Sequence, residues 1–518
     1  MTIDTDRRGI LLAASGGASF GLMSWSTRAL ASPGNGILDL PRLNGVRPRN
    51  IVFILTDDHR YDAMGFMGKQ DFGETPALDR IAAEGVHFKN AFVTTALCSP
   101  SRASILTGLY AHRHRVIDNE RAIDPSLIFF PQYLQQAGYD TALIGKWHMG
   151  GEIDHPQPGF DRWVSFKGHG SYYPDNGETF NVDGERVPQR GYITDELTDY
   201  AIDWLDERPA DKPYMLYLSH KAVHAGFQPA ERHLGRYENE TFVPPASMAP
   251  KDEGRPKWVK DQRNSWHGVD FHFHNPNPDV GTMYKRYMET LLAVDEGIAR
   301  IMDKLEERGE LDDTLIVYMG DNGFMFGEHG LIDKRCAYEE SMRVPLLARC
   351  PAMFGRGRTV EKTVANIDIG PTFLAAAGLG KPEHMDGDNF LPLARGEDVD
   401  WRTDLLYEYY WERNFPHTPT VHSLREERYK YIRYHGVWDI DELFDLVEDP
   451  DEQNNLYNMP GHEELSQRLN AKLFDMLEAR EAMQIPLAPD QGWRFVLRNP
   501  DGPGPGAYPE RFIARRPE

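Results

Sequence analysis

The chain has 518 residues, of which 40% are hydrophobic and 26% are charged, as in an ordinary globular protein with more than one structural unit. Its formal net charge of -23 argues against non-specific binding to nucleic acid or anionic lipid, because so acidic a surface repels both. It does not exclude an anionic substrate, since cations and a metal can reverse the sign inside one pocket.

The first 31 residues predict an export signal. Arg7 and Arg8 precede a weakly apolar run at residues 10–23, and residues 29–31 (Ala-Leu-Ala) form a cleavage site of small residues. Paired arginines favour twin-arginine export, and hence a periplasmic or secreted bacterial protein. A plain signal peptide or a membrane anchor is the alternative, although the apolar run is short for a span. No later stretch is apolar and long enough, so we expect no integral membrane segment.

Apolar runs that predict strands alternate with patterns that predict helices. The first run, residues 51–55, is continuous and β-branched, as in a strand buried on both faces of a parallel sheet. A helix is predicted next, with Thr75 as its cap, Pro76 in its first turn and Gly85 at its end. Further predicted elements are an amphipathic helix at residues 287–305 and strands at residues 141–144, 214–218, 315–318 and 344–348. The alternation predicts a layered α/β fold.

From about Trp401 the pattern changes to that of a smaller α+β unit. Residues 429–434 predict a strand, residues 449–451 a turn and residues 463–478 a helix. We therefore place a catalytic domain at residues 45–395, a C-terminal α+β subdomain at 400–498 and an irregular tail at 499–518.

The most specific local pattern is Cys98-Ser99-Pro100-Ser101-Arg102, followed by Ala-Ser-Ile-Leu-Thr-Gly at residues 103–108. It resembles the signature of the sulfatase family, in which Cys-x-Pro-x-Arg directs a formylglycine-generating enzyme to oxidise the cysteine. The resemblance implies that Cys98 becomes formylglycine. One hydroxyl of the aldehyde hydrate would attack sulfur, and the other would later expel sulfate. Without the motif, a lone cysteine is usually an inert buried residue.

Oxygen ligands follow two of the predicted strands. Asp57 and Asp58 come after the first strand, and Asp321 and Asn322 come after the strand at residues 315–318. Ligands bind beyond the carboxyl ends of strands in open α/β sheets, and hard oxygen donors suit calcium or magnesium. Alone, each Asp would be a turn or helix cap. Together with Cys98, the four resemble the metal-binding pattern of sulfatases, which implies one calcium ion.

A tetrahedral oxyanion needs several cations placed before the reaction begins. Lys146 and His148 lie in a Gly-Lys-Trp-His element that resembles the family's, and His224 and Lys334 lie in matching contexts. The resemblance implies that Lys146 and Lys334 bind sulfate oxygens and Arg102 holds the hydrate. It also implies that His224 protonates the leaving oxygen and His148 accepts a proton. One departure is that Val223, where the family often has proline, precedes His224.

The resemblance extends over residues 48–460. It implies an alkaline-phosphatase-like α/β fold, with a large mixed sheet sandwiched by helices and a smaller C-terminal α+β subdomain containing an antiparallel sheet. Residues 219–224 and 192–195 resemble segments of N-acetylglucosamine-6-sulfatases, so a sulfated carbohydrate such as 6-O-sulfo-N-acetylglucosamine is the expected substrate. The alternatives are another sugar sulfate, an arylsulfatase activity, and a phosphate or phosphonate monoester hydrolase of the same fold.

Three further expectations concern less specific residues. Cys336 and Cys350 could pair in an oxidising compartment, or remain as two buried thiols. His220 and His329 have no defined role, although His329 could support the site. Aromatic and histidine side chains in loop-like stretches could line sugar subsites or simply pack, and they are His169, Tyr172, Tyr173, Trp266, His267, Trp411 and His417.

Overall fold

The computed structural model describes residues 38–248, 253–263, 265, 279–436 and 440–486. The predicted export signal at residues 1–31, the tail at 499–518, and Trp266 and His267 lie outside the described residues. Within the described ranges, no helix has the length and apolar character needed to cross a membrane.

The strands build one large sheet, one four-stranded sheet and two small two-stranded pairs. In chain order the strands are β1 (Asn50–Thr56), β2 (Val86–Phe88), β3 (Ala91–Phe92), β4 (Asp140–Gly145), β5 (Arg162–Ser165), β6 (Thr179–Val182), β7 (Glu185–Pro188), β8 (Tyr214–Ser219), β9 (Thr314–Gly320), β10 (Met325–Phe326), β11 (Ile332–Asp333), β12 (Leu346–Arg349), β13 (Arg358–Val360), β14 (Val364–Ala365), β15 (Leu405–Tyr409), β16 (Thr420–Arg425), β17 (Tyr429–His435) and β18 (Glu442–Asp445).

The large sheet has ten strands in the order β13-β2-β12-β9-β1-β8-β4-β5-β6-β7. Its central strands β9, β1, β8, β4 and β5 are parallel, whereas β12, β6 and β7 make antiparallel pairings. The predicted mixed sheet is therefore confirmed. Because its central strands are parallel, their carboxyl ends meet at one edge, where ligands bind in open α/β sheets.

Helices cover both faces of this sheet. In chain order they are α1 (Pro76–Glu84), α2 (Cys98–Thr107), α3 (Ala111–His114), α4 (Phe130–Gln136), α5 (Ile193–Glu207), α6 (Lys257–Arg263), α7 (Val280–Glu307), α8 (Glu339–Met342), α9 (Ile369–Ala376), α10 (Leu391–Arg395) and α11 (Glu463–Ala479).

Alternate residues of β1 belong to two separate hydrophobic cores. Ile51, Phe53 and Leu55 pack with α2, α4 and α9, whereas Val52 and Ile54 pack with α1, α5 and α7. All five side chains are fully buried, and burying an aliphatic side chain stabilises the fold by about 1.5–3 kcal/mol. The continuous apolar run thus reflects a strand that is covered on both faces, as the sequence predicts.

The C-terminal sheet is antiparallel, in the order β15-β16-β17-β18, and α11 packs against it. Leu469, Leu473 and Leu477 of α11 belong to the same hydrophobic core as α2 and one face of the large sheet. The predicted smaller unit with an antiparallel sheet is confirmed, and its core is continuous with that of the large sheet.

Thr75 and Gly85 lie at the two ends of α1, as the sequence predicts, but the physical reason for each residue differs from the predicted one. The hydroxyl of Thr75 makes no capping hydrogen bond and instead donates to Asp79 Oδ1 at 2.9 Å. Gly85 ends α1 without adopting a left-handed conformation. A Cβ at Gly85 would lie 2.2 Å from the carbonyl oxygen of Ala348. Close packing against β12, rather than a helix-terminating turn, therefore requires glycine there.

The proposed pairing of Cys336 with Cys350 does not occur. All three cysteines are free and buried. Cys336 lies 3.7 Å from the sulfur of Met325, and the sulfur of Cys350 lies 3.8 Å from the carbonyl oxygen of Asp312. The alternative prediction of two buried thiols is the one that the structure bears out.

Candidate active site

The carboxyl ends of the central strands bring the predicted site residues together. Leu55 of β1 and Gly145 of β4 both pair with Ser219 of β8, and Thr56 pairs with Gly320 of β9. The residues that follow these strand ends therefore project from the same edge of the sheet. This strand register, which the sequence does not reveal, places the predicted metal ligands beside Lys146, the lysine that is predicted to bind sulfate.

Cys98 is the first residue of α2 and is fully buried. Its sulfur lies 3.3 Å from Asp57 Oδ1 and 3.2 Å from Lys334 Nζ. Burial, reinforced by the charge of Asp57, raises the pKa of the Cys98 thiol far above its ordinary value. The unmodified thiol is therefore protonated at neutral pH, and a protonated thiol is a poor nucleophile.

Four buried side chains beside Cys98 form what we call the oxygen cluster: Asp57, Asp58, Asp321 and Asn322. One oxygen from each of its three carboxylates lies within 4.8 Å of the others. Among the described residues, neither Asp58 Oδ2 nor Asn322 Oδ1 has a hydrogen-bond partner. Asn322 Nδ2 donates to Asp58 Oδ1 at 2.7 Å, which fixes the orientation of its amide.

The pKa values within the oxygen cluster reflect this crowding. Burial, together with the charges of Asp57 and Asp321, raises the pKa of Asp58 to about 7 despite the opposing ammonium of Lys334. Burial also opposes ionisation of Asp57, but Lys146 and Arg102 outweigh it and hold its pKa well below the ordinary value. Crowded carboxylates and an unpartnered amide oxygen fit a hard divalent cation such as calcium or magnesium.

Arg102 projects from α2 into the same cluster and is almost fully buried. Its Nε donates to Asp321 Oδ2 at 2.9 Å, and Nη2 lies 3.4 Å from Asp57 Oδ2. Its Nη1 donates to the carbonyl oxygen of Lys146 at 2.9 Å and to the hydroxyl of Ser219 at 2.6 Å. The guanidinium thus ties two carboxylates of the cluster to the ends of β4 and β8.

Two lysine side chains enter the site, Lys146 from the residue after β4 and Lys334 from the residue after β11. The ammonium of Lys146 forms an ion pair with Asp57, and that of Lys334 forms an ion pair with Asp58. Both lysines are almost fully buried. Two desolvated ammonium groups flanking Cys98 create the positive field that a sulfate group requires.

Three histidine rings stand in a row along the pocket. The ring centroid of His169 lies 4.1 Å from that of His148 and 4.3 Å from that of His224. His224, which Val223 precedes in place of the family's frequent proline, has its Nε2 3.9 Å from Asp58 Oδ2 and so lies at the edge of the oxygen cluster. Burial, followed by the charge of Lys146, lowers the pKa of all three histidines well below the ordinary value, and the neutral imidazole is the form at neutral pH.

Sequence reasoning gave no role to two residues of this site, Ser219 and Lys221, and left Tyr172 between a sugar subsite and packing. Ser219 donates from its hydroxyl to the carbonyl oxygen of Lys146 at 2.8 Å, and its position at a strand end was the available signal. Lys221 is buried, with its ammonium 4.6 Å from the ring centroid of Tyr172. The hydroxyl of Tyr172 donates to the carbonyl oxygen of His224 at 2.7 Å. Tyr172 therefore supports the histidine row, and it is largely withdrawn from solvent.

The other candidate residues from the sequence differ from one another in burial and in hydrogen-bond partners. Tyr173 donates its hydroxyl to the carbonyl oxygen of Pro229 at 3.0 Å, whereas Trp411 is 42% exposed. His329 is fully buried and stacks on Tyr338 with ring centroids 3.9 Å apart, outside the oxygen cluster. His220 is also fully buried, with no hydrogen-bond partner for its ring nitrogens among the described residues.

A cavity of about 150 Å³ opens onto these groups. The residues that line it are Asp58, Asn119, Glu120, His169, His224, Ala225, Asp333, Lys334, Arg335, Glu412, Asn414 and Phe415. The last three belong to the loop that joins β15 to β16, which also carries Trp411 and His417. The C-terminal sheet therefore contributes one wall of the pocket, and the two sheets jointly define which ligands fit.

Comparisons with known proteins agree with this geometry. The sulfatase family model matches residues 49–379, and the model described as N-sulphoglucosamine sulphohydrolase, C-terminal, matches residues 327–479. An N-acetylglucosamine-6-O-sulfatase of Bacteroides thetaiotaomicron is 35% identical, over 91% of this chain and 92% of that protein. The human N-acetylglucosamine-6-sulfatase is 30% identical, over 88% of this chain and 89% of that protein.

A solved structure in complex with its substrate, D-glucosamine-2-N,6-O-disulfate, has a TM-score of 0.78 and 33% identity. The match covers 85% of this chain and 99% of that one. This chain adopts the alkaline-phosphatase-like architecture, with a large mixed sheet and a small antiparallel sheet. This chain belongs to the sulfatase family and is a sulfuric ester hydrolase.

Proposed function

We propose that this sulfatase removes the 6-O-sulfate of a glucosamine-type sugar in a sulfated glycan. The observation that carries the proposal is the convergence of Cys98, the oxygen cluster, Lys146 and Lys334 at the carboxyl ends of the central strands, beside the cavity that Asp58 and Lys334 line. Relatives named for N-acetylglucosamine 6-sulfate, together with the structural match bound to a 6-O-sulfated glucosamine, support the choice of sugar.

We further propose that the oxygen cluster holds one calcium ion. The unpartnered Asp58 Oδ2 and Asn322 Oδ1 and the crowding of three carboxylates support this assignment. A calcium ion bound there would offset the negative charge of a sulfate group. Arg102 would hold Asp57 and Asp321 in place and favour their ionised forms, because its guanidinium contacts both.

Position 98 would carry formylglycine, produced by a formylglycine-generating enzyme before the chain reaches its final compartment. The signature at residues 98–102 supports the modification. The unmodified thiol would be a poor nucleophile here, because burial raises its pKa far above the ordinary value. A formylglycine hydrate supplies one hydroxyl that attacks sulfur and another whose deprotonation releases sulfate.

The surrounding side chains would bind sulfate and move protons. Lys146 and Lys334 are placed to bind sulfate oxygens. A neutral His148 can accept a proton, consistent with its low pKa. The nearest acceptor for His224 Nδ1 is the carbonyl oxygen of Ala225, at 3.2 Å, which would leave Nε2 unprotonated in the free enzyme. An anionic sulfate ester nearby favours the protonated form, so binding of substrate would prepare His224 to protonate the leaving oxygen.

We also propose that the protein acts outside the cytoplasm, in the periplasm or after secretion. Paired arginines, a short apolar run and a small-residue cleavage site at residues 1–31 support export. A glycan too large to enter a cell would be met in that location.

A panel of defined sulfated sugars tests the substrate assignment. We expect sulfate release from 6-O-sulfated N-acetylglucosamine to exceed that from its 3-O-sulfated isomer by at least about 100-fold in kcat/KM, since a misplaced ester cannot reach Cys98. Matched 4-nitrophenyl sulfate and 4-nitrophenyl phosphate should be tested alongside. Preference for the 3-O-sulfated isomer would disprove the positional assignment, and preference for the phosphate would favour a phosphomonoesterase.

Replacement of the proposed nucleophile gives a second test. We expect Cys98→Ala to abolish turnover while leaving thermal unfolding nearly unchanged, because the small side chain removes no paired charge. Intact-peptide mass spectrometry of the parent protein, produced with its maturation enzyme, should show an aldehyde at position 98. Cys336→Ala, which alters another buried cysteine outside the pocket, should retain turnover. A parental rate for Cys98→Ala would contradict covalent catalysis.

A further inference from the structure

His169 reaches the pocket from a turn that favours glycine on both sides of it. The turn follows β5, and the two residues that flank His169 are Gly168, with φ 56°, and Gly170, with φ 62°. A Cβ at Gly170 would lie 2.6 Å from ring atoms of Phe166. Two left-handed glycines thus turn the chain sharply, and His169 lines the cavity together with Asp58, His224 and Lys334.

The hydrogen bond between His169 and Lys146 has a fixed direction. Lys146 Nζ lies 3.1 Å from His169 Nδ1. An ammonium group can only donate, so Nδ1 accepts and a neutral ring carries its proton on Nε2. Burial, followed by the charge of Lys146, holds the pKa of His169 well below the ordinary value, which is consistent with a neutral ring.

The two partners of Lys146 therefore differ in charge. Asp57 pairs with the ammonium as a carboxylate and offsets its charge, whereas His169 orients the ammonium without neutralising it. A neutral acceptor therefore does not further reduce the positive charge that Lys146 offers to a sulfate oxygen. His169 also stands between His148 and His224, so its ring sets the spacing of these two rings.

We propose that His169 is a positioning residue of the sulfate site, which holds the Lys146 ammonium through Nδ1 and fixes the separation of His148 and His224. This inference depends on the roles proposed above for Lys146, His148 and His224. It differs from the sequence expectation that His169 is a packing residue or part of a sugar subsite.

Two isosteric variants separate the two ring nitrogens. The side-chain oxygen of His169→Asn can occupy the place of Nδ1 and still accept from Lys146, whereas the longer amide of His169→Gln reaches toward the place of Nε2. We expect the Asn variant to stay within about threefold of the parent kcat/KM and the Gln variant to lose about 10- to 100-fold, the usual loss for a hydrogen bond to a charged group. Competitive inhibition by inorganic sulfate should weaken in the Gln variant by a similar factor. The control is His155→Asn, which alters an exposed histidine outside the pocket and should match the parent in both measurements.

A double-variant comparison shows whether His169 acts through Lys146. In a Lys146→Met background we expect the difference between the Asn and Gln variants to disappear. Three outcomes would each overturn the proposal. The difference between the Asn and Gln variants could persist at full size in the Lys146→Met background. In the parent background, the two variants could have equal activity, or the Gln variant could be the more active one. If Lys146→Met alone keeps the parent rate, the role proposed for Lys146 is wrong, which is a separate failure from that of His169.

Discussion

Arg102 shows how single residues make this site possible. Three carboxylates crowded into a buried volume repel one another, and each also loses its hydration. Arg102 counters both effects for Asp57 and Asp321, because its planar guanidinium donates in several fixed directions at once. Burial nevertheless raises the pKa of Asp321, and it raises that of Asp58, which lacks the Arg102 contact, to about 7. Arg102, together with Lys146, holds the pKa of Asp57 below its ordinary value, whereas burial prevails at Asp58 and Asp321.

Removal of the proposed calcium ion from the oxygen cluster should impair turnover. We expect a strong chelator to reduce turnover by at least about 100-fold, and added calcium to restore it. Elemental analysis of the untreated enzyme should find about one equivalent of metal, and Asp58→Asn should lower that content. Asp199→Asn, an exposed carboxylate on α5, should leave metal content and turnover unchanged. Undiminished turnover after complete removal of metal would refute the assignment.

At the scale of secondary structure, the contact between β4 and β8 positions Lys146. The backbone N–H of Lys146 donates to the carbonyl oxygen of Ser219 at 2.7 Å. Gly145 precedes it with φ 120°, and a Cβ there would lie 1.8 Å from the same oxygen. The two strands can approach this closely only because residue 145 has no side chain.

Substitution of this glycine should separate the strands. We expect Gly145→Ala to lower the free energy of unfolding by about 3 kcal/mol, from steric overlap together with backbone strain. Turnover should also fall in the folded fraction, because Lys146 and the hydroxyl of Ser219 would shift. Gly355→Ala is the matched control, since a Cβ at Gly355 meets no atom within 4 Å, and it should change stability by less than about 0.5 kcal/mol. Chemical denaturation and steady-state kinetics measure both effects. Equal stability of the two variants would show that the strands tolerate the added methyl group.

At the scale of the whole molecule, a buried polar contact joins the C-terminal sheet to the catalytic part. Glu442 of β18 accepts hydrogen bonds from the hydroxyls of Tyr434 and Tyr338. Burial raises its pKa from the ordinary value of 4.5 to about 7, although these hydroxyls act in the opposite direction. The buried contact between the C-terminal sheet and the catalytic part is therefore sensitive to pH.

Glu442 should make stability depend on pH with a definite sign. Between pH 4.5 and pH 7 the folded protein keeps a proton on Glu442 that the unfolded chain has released. Stability from this group is therefore greatest below pH 4.5 and falls by roughly 3 kcal/mol as pH rises to 7. We will measure the free energy of unfolding of the parent and of Glu442→Gln with a chemical denaturant. We expect the value for the parent, relative to that for Glu442→Gln, to decrease between pH 4.5 and pH 7. The control Glu464→Gln, on the exposed face of α11, should show no such trend. A difference between parent and Glu442→Gln that does not vary with pH would contradict the assignment.

Much of this protein follows from local sequence. The strand at residues 51–55, the helix after Pro76 and the C-terminal helix were predicted nearly at their observed bounds, because burial on both faces and helix-start residues leave local patterns. The side chains that converge at the pocket, including Cys98, Lys146, His224 and Lys334, were also identified in advance. Their local motifs carry that information without reference to the rest of the fold.

Other features depend on residues far apart in the chain. Whether Cys336 pairs with Cys350, why Gly85 must be glycine, and why His169 contacts Lys146 all depend on which strands become neighbours. The sequence by itself determined the chemical groups of the candidate site, because the proposed nucleophile, the acids and the cations each occur in a recognisable local context. The tertiary structure alone decided their distances, charge states and supporting contacts, because strand register and burial arise only when distant segments pack together.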